Sequence, residues 1–113
     1  MTKKKTTNKK KKNTPEDLIG SINICGYDYN IYATNDQNKL MLNNQACYGI
    51  CDFINQEIYV SKAQHQQARE ETLIHEILHA IDYYTSSSNP KLSEEDIERL
   101  AIGLAPIVRK GIY

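Results

Sequence analysis

Two histidines and a glutamate have a spacing that can support metal chemistry in the stretch TLIHEILHAID. His75 and His79 are four residues apart, so on a helix their imidazoles lie on one face, one turn apart. Two imidazoles so placed can bind one zinc ion, and Glu76 projects beside them, where it can take a proton from a metal-activated water. The pattern predicts a zinc site with Glu76 as the general base; five ordinary residues of a solvated helix are the alternative.

The residues around this motif divide a helix into a polar face and an apolar face. With His75 placed at 0°, Asp82 falls at about −20° and Glu76 at about 100°. The apolar residues occupy roughly 140° to 260° and are Leu73, Ile74, Ile77, Ala80, Ile81 and Tyr84. The histidines therefore lie outside the packing face. Asp82 either accepts a hydrogen bond from a ligand imidazole or is an ordinary surface acid.

A catalytic zinc site needs a third protein ligand, and the stretch SEEDIERLAIGL offers acids for it. His65 precedes the motif by ten residues and is better explained as a surface residue. With Ile97 at 0°, the apolar stripe of Leu100, Ala101, Leu104 and Val108 spans roughly −60° to 40°. Glu94 falls at about 60° and Glu95 at about 160°. An inward carboxylate is costly unless it is paired or bound to a metal, which favours Glu94 over Glu95. Acids after a Ser93 cap also stabilise a helix N-terminus without any metal.

TLIHEILHAID followed by LSEEDIERLAIGL resembles the small gluzincin metallopeptidases of phages and other mobile elements, related to the ImmA/IrrE type. In that family a metal-binding Glu begins an E-x-x-A-N/D-x-x-A-like pattern, whose positions here hold Glu94, Ile97, Glu98 and Ala101. The resemblance implies a zinc cofactor bound by His75, His79 and Glu94. It also implies a minimal zincin-like fold in which the edge strand of a small sheet aligns an extended peptide. EIYVS is the candidate strand, with Ile58, Tyr59 and Val60 contacting the substrate.

The spacing of apolar and turn residues predicts an α+β fold, with a small antiparallel or mixed sheet followed by two helices. We expect a short helix at TPED (14–17), a hairpin from SINIC and YNIYAT, and a loop or helical turn over 35–45. CYGICDFI and EIYVS predict a second hairpin. A helix over about 64–84, a loop over 85–90 and a helix after Ser93 follow, and Pro106 should kink or end the last one.

Charge is distributed unevenly along the 113 residues. Seven of the 14 Lys and Arg residues lie in 1–13 and all 14 acids lie beyond, so the rest of the chain carries a formal charge of −7. Residues 1–13 contain no apolar residue after Met1, which predicts a disordered basic tail ahead of a single domain over 14–113. The tail is either a solubilising extension or a contact to nucleic acid or an acidic partner.

The cellular setting follows from composition. The odd set of Cys25, Cys47 and Cys51 predicts reduced thiols used as small core residues, and no apolar run is long enough to span a membrane. We therefore expect a cytoplasmic protein of a bacterial host cell. The leading hypothesis is a zinc peptidase that hydrolyses an intracellular protein or peptide. The alternatives are a DNA-associated SprT-like protease and a non-catalytic zincin scaffold that serves a phage or mobile element as a binding protein.

Overall fold

A small mixed sheet comes first in the chain and two helices follow it, so the predicted α+β class is confirmed. The computed structural model describes residues 16–87 and 91–110. Its strands are β1 (Glu16–Ile24), β2 (Tyr27–Thr34), β3 (Met41–Leu42), β4 (Gln45–Ala46), β5 (Gly49–Asp52) and β6 (Glu57–Ser61), and its α-helices are α1 (Gln66–Thr85) and α2 (Glu94–Lys110). The proposed tail over 1–13 lies outside the described residues. Within them, no helix is long and apolar enough to cross a membrane.

The first predicted hairpin is confirmed, but the helix predicted at TPED is wrong. β1 and β2 pair antiparallel, and the turn between them places both Cys25 and Gly26 at positive φ, as a two-residue hairpin turn requires. β1 already begins at Glu16, which pairs with Thr34. Ladder hydrogen bonds therefore outweigh the local helix-start signal, because a short isolated helix has few bonds of its own. Thr14 and Pro15 lie outside the described residues.

The segment between the two hairpins matches the expected loop or helical turn only in part. A 3-10 helix spans Gln37–Leu40, with the Asp36 side chain accepting a hydrogen bond from the Asn38 backbone N–H. The short strands β3 and β4 then form a separate two-stranded sheet, which the sequence reading did not anticipate.

The second predicted hairpin is also confirmed, yet its position in the sheet differs from expectation. The strand order is β1-β2-β6-β5, with β6 parallel to β2 and antiparallel to β5. β6 is thus central, and the prediction that Ile58, Tyr59 and Val60 form an exposed substrate edge is wrong. Ile58 and Val60 are 0% exposed. A strand buried on both faces belongs inside a sheet, and the edge strands are β1 and β5 instead.

Helix α1 covers the sheet with one face. Ala80 is buried in the core with Tyr29, Ile31 and Val60, and Leu73, Ile77 and Tyr84 pack against this cluster. The predicted packing face is correct for these residues, whereas Ile81 is exposed. Of the cysteines predicted as core residues, Cys51 packs against the cluster, Cys47 is half-buried and Cys25 is exposed on its hairpin turn.

Helix α2 packs on α1. Ser93 begins it as predicted, since its Oγ accepts a hydrogen bond from the Asp96 backbone N–H at 3.0 Å. The buried stripe is Ile97, Ala101 and Ala105, while Leu100 and Val108 of the predicted stripe are exposed. The helix continues through Pro106 to Lys110, so Pro106 does not end it. Arg109 Nη1 contacts Glu70 Oε1 at 2.9 Å and ties the last turn of α2 to the start of α1.

Candidate metal centre

His75 and His79 lie one turn apart on α1, as the motif predicted. Their Nε2 atoms are 3.2 Å apart, and both side chains are partly buried. The same helix packs Ala80 and Ile77 against the sheet, which holds the two imidazoles on the opposite side, towards α2. The two rings therefore present their Nε2 atoms to a single point.

Glu94, the first residue of α2, brings a carboxylate to that point. Its Oε1 lies 2.9 Å from His75 Nε2 and its Oε2 lies 3.1 Å from His79 Nε2. The buried stripe of Ile97, Ala101 and Ala105 sets this register, because the small side chains of Ala101 and Ala105, one turn apart, let α2 approach α1 closely. Glu95 is exposed and does not join the group.

Glu94, which the sequence favoured over Glu95, lies beside the two histidines, but burial of its carboxylate is not the reason. The side chain of Glu94 is 72% exposed, so the cost of burying a carboxylate does not place it. The first residue of a helix has no preceding turn to cover it, and α2 here starts at the mouth of a cleft. Helix packing is what positions Glu94 next to the imidazoles.

The three side chains could hold a zinc ion, although each distance between their ligand atoms is slightly shorter than in an ideal tetrahedron. Ligand atoms at the corners of a tetrahedron with bonds of about 2.0–2.1 Å are separated by about 3.3–3.4 Å. The nitrogen–nitrogen distance is 3.2 Å and the nitrogen–oxygen distances are 2.9 and 3.1 Å. Two imidazoles and one carboxylate are a donor set that zinc accepts, and these three side chains form one group among the described residues. Three protein ligands, with the fourth place left to water, are typical of catalytic rather than structural zinc sites.

Glu76 lies beside these three residues and lines the cleft with them. It is 8% exposed, and burial raises the pKa of its carboxyl group to about 7, while nearby His75 lowers that pKa and Glu94 raises it. The backbone of β5 passes close by, since a Cβ added at Gly49 would lie 3.1 Å from Glu76 Oε2. The carboxylate is thus held between the edge strand and α1, and it lines the same cleft as the two histidines.

A second glutamate of α2, Glu98, lies against His75. Its Oε1 is 3.1 Å from His75 Nδ1, so a carboxylate stands beside the ring nitrogen that does not face Glu94. Such an outer partner fixes the tautomer and the orientation of a metal-binding imidazole. The sequence left Asp82 either in this role or as an ordinary surface acid, and no contact joins the Asp82 side chain to either histidine in the described part of the chain. Glu98 could have been found, because it follows Glu94 by one helical turn and shares its face.

An open cleft of about 820 Å³ surrounds the site. The edge strand β5 forms one wall, the first three turns of α1 form the floor, and α2 forms the other wall. β5 is the last strand in the sheet order, so its outer edge faces the cleft without a neighbouring strand in the described sheet. His65 also lines the cleft, ten residues before His75, but does not belong to the ligand group.

No protein-family model, curated protein or solved structure matches this chain. The function of the site therefore has to be inferred from its own geometry.

Proposed function

We propose that this chain is a zinc-dependent peptidase, a small gluzincin that hydrolyses peptide bonds of a protein substrate in the bacterial cytoplasm. The observation that carries the proposal is the convergence of His75 Nε2, His79 Nε2 and a Glu94 carboxylate oxygen within 4.8 Å of one another. Glu76 lies beside this group without being part of it, as expected for a general base that does not bind the metal.

The chain's own residues divide the work of hydrolysis. His75, His79 and Glu94 would hold the zinc ion, which when bound acidifies water and polarises a carbonyl. Glu76 takes a proton from the attacking water on a carboxylate oxygen and passes it to the nitrogen of the leaving amine. Glu98 holds His75 in the tautomer that leaves Nε2 free to coordinate.

The peptide would lie along the outer edge of β5. An extended chain that adds to this edge gains main-chain hydrogen bonds, and its reactive carbonyl then passes over the histidines. This assignment replaces β6, whose two edges are both paired.

The test compares the wild-type protein with Glu76→Gln after purification with zinc. Elemental analysis should find about one zinc per chain in both proteins, because Glu76 is a base and not a ligand. Hydrolysis of a mixed library of quenched fluorescent peptides should fall about 10²–10⁴-fold in Glu76→Gln. A wild-type protein that binds no zinc, or a Glu76→Gln variant that hydrolyses peptides normally, refutes the proposal.

Two neighbouring acids provide a matched control for the ligand assignment. Glu94→Ala should lose zinc and activity, because it removes one of three ligands. Glu95→Ala removes the same charge from the next residue and should retain both. If Glu94→Ala retained zinc and Glu95→Ala lost it, the register of α2 described here would be wrong by one residue.

A further inference from the structure

The cleft around the candidate metal centre is acidic. Four glutamates line it, Glu71, Glu76, Glu94 and Glu98, and no lysine or arginine stands among its described lining residues. Three of these have roles in the proposed site. Glu94 would bind the metal, Glu98 contacts His75 Nδ1, and Glu76 is the base. Glu71 remains without a role.

Glu71 lies on α1 one turn before His75 and on the same face. Side chains four residues apart on a helix have Cβ atoms separated by about 5–6 Å, so Glu71 borders the place where a peptide bond would be cut. Its side chain is half-buried, and no hydrogen bond or ion pair joins it to another residue within 16–87 and 91–110. The Glu71 carboxylate thus lies in the cleft without a cation beside it among the described residues.

Three cations of the described residues contact acids outside the cleft: Lys62 contacts Asp17, Arg109 contacts Glu70, and Arg99 contacts Asp96. The surroundings of Glu71 instead suit a long basic side chain from a ligand. Ala68, one turn earlier, is small and leaves room on the floor, and Ile102 of α2 adds an apolar surface. Lys and Arg pack their aliphatic stems on apolar atoms while the charged end reaches a carboxylate.

We propose that Glu71 is a specificity-determining residue, which selects peptides that carry Lys or Arg close to the scissile bond and rejects peptides that carry an acid there. This inference rests on the proposed peptidase function and names the substrate class of the same site. The ion pair would form within a partly solvated cleft, so its effect should be moderate and should weaken as salt is added.

The test uses quenched peptides that differ only in Lys, norleucine or Glu at each position flanking the cleaved bond. For the wild-type protein, kcat/KM should be about three- to tenfold higher with Lys than with norleucine at one of these positions, and lowest with Glu. Glu71→Gln should bring the ratio of Lys to norleucine close to about one, and Glu71→Lys should favour the Glu peptide. Glu95→Gln removes an equal charge outside the cleft and should preserve the wild-type ratio. Because each ratio is taken within one protein, differences in active fraction cancel.

A binding measurement separates this inference from the proposed function. The affinity of the same peptides for Glu76→Gln protein with zinc bound should follow the same order, and adding Glu71→Gln should abolish that order. Charge-dependent binding without any hydrolysis by the wild-type protein would support Glu71 as a selector and refute the peptidase. Hydrolysis with equal rates for Lys and norleucine at every position, or a Glu71→Gln ratio equal to that of the wild type, would overturn the role of Glu71 and leave the peptidase standing.

Discussion

Gly49 lies where the edge strand β5 meets α1, and replacing it by alanine tests how tightly this contact is packed. A Cβ added there would lie 2.5 Å from Thr72 Cγ2, 3.2 Å from Glu76 Cγ and 3.1 Å from Glu76 Oε2. Thr72 cannot turn away freely, since its Oγ1 donates a 2.7 Å hydrogen bond to Gln64 Oε1. Glu76 is itself almost fully buried. The methyl group must therefore move the strand, the helix or both.

The expected loss of stability is the difference between two effects. Adding a methylene-sized group to a packed interior typically costs about 1–3 kcal/mol. Replacing glycine by alanine gains about 0.4–1 kcal/mol through the unfolded chain, because the φ of Gly49 lies outside the left-handed region that alanine avoids. Gly49→Ala should therefore lower the free energy of unfolding by about 1–2 kcal/mol. Hydrolysis should fall further than this loss explains, since the same methyl group displaces the Glu76 carboxylate.

Thr72→Ser supplies a matched partner for a double-mutant cycle. It removes the clashing Cγ2 and retains the hydroxyl that bonds Gln64. Urea unfolding of the four proteins should give a favourable coupling energy of about 1 kcal/mol between Gly49→Ala and Thr72→Ser. Activity should recover less than stability, because the contacts to Glu76 persist in the double variant. A coupling energy near zero, or a Gly49→Ala protein as stable as the wild type, would refute the packing described for β5 and α1.

Two further substitutions test the site and the hairpin that forms its wall. Glu98→Ala removes the carboxylate beside His75 Nδ1 and should weaken zinc binding about 10–100-fold in a chelator competition. Glu98→Gln should weaken zinc binding less, because its amide oxygen can still accept a hydrogen bond. Equal zinc affinity of all three proteins would contradict the orienting role. Asp52→Ala removes an acceptor that takes hydrogen bonds from the backbone and side-chain N–H groups of Asn55, and these bonds lower the pKa of the Asp52 carboxyl group. Because the pKa of Asp52 is lower in the folded protein, its carboxylate stabilises the fold at pH values above the unfolded pKa of about 3.9, and this stabilisation is lost as the pH falls through the folded pKa. Asp52→Ala should therefore lower the free energy of unfolding in urea by about 1 kcal/mol at pH 7 and by less at about pH 3. A destabilisation of equal size at both pH values would contradict this reading.

The elements that the sequence predicted well are those with a local periodic signal. The spacing of His75, His79 and the apolar residues around them needed only the geometry of one helix, and α1 has that geometry. Both hairpins followed from alternating strands joined by short turns. The capping box at Ser93 also lies within four residues.

The errors concern contacts between elements. Alternation within EIYVS cannot say whether β6 has one neighbour or two, and the parallel pairing with β2 depends on the path of the chain through residues 35–48. Asp82 was considered as a partner of the histidines only because of its angle on α1. The residue that reaches His75 comes from the other helix, and single-helix angles do not include the crossing of α2 over α1.

The same distinction explains why the candidate centre depends on the pairing of its two helices. His75 and His79 are fixed by α1, but Glu94 reaches them only if Ile97, Ala101 and Ala105 pack on α1 in their observed register. At the other end of that interface Arg109 contacts Glu70, so the register is held at both ends of α2. A metal that binds only when the helices are paired must stabilise their pairing. The stabilisation is about 4 kcal/mol when the free metal concentration is a thousand times its dissociation constant. Zinc would thus have two roles in the proposed site: it would activate the attacking water, and it would link α1 to α2 by holding the exposed Glu94 carboxylate and the two imidazoles in one geometry.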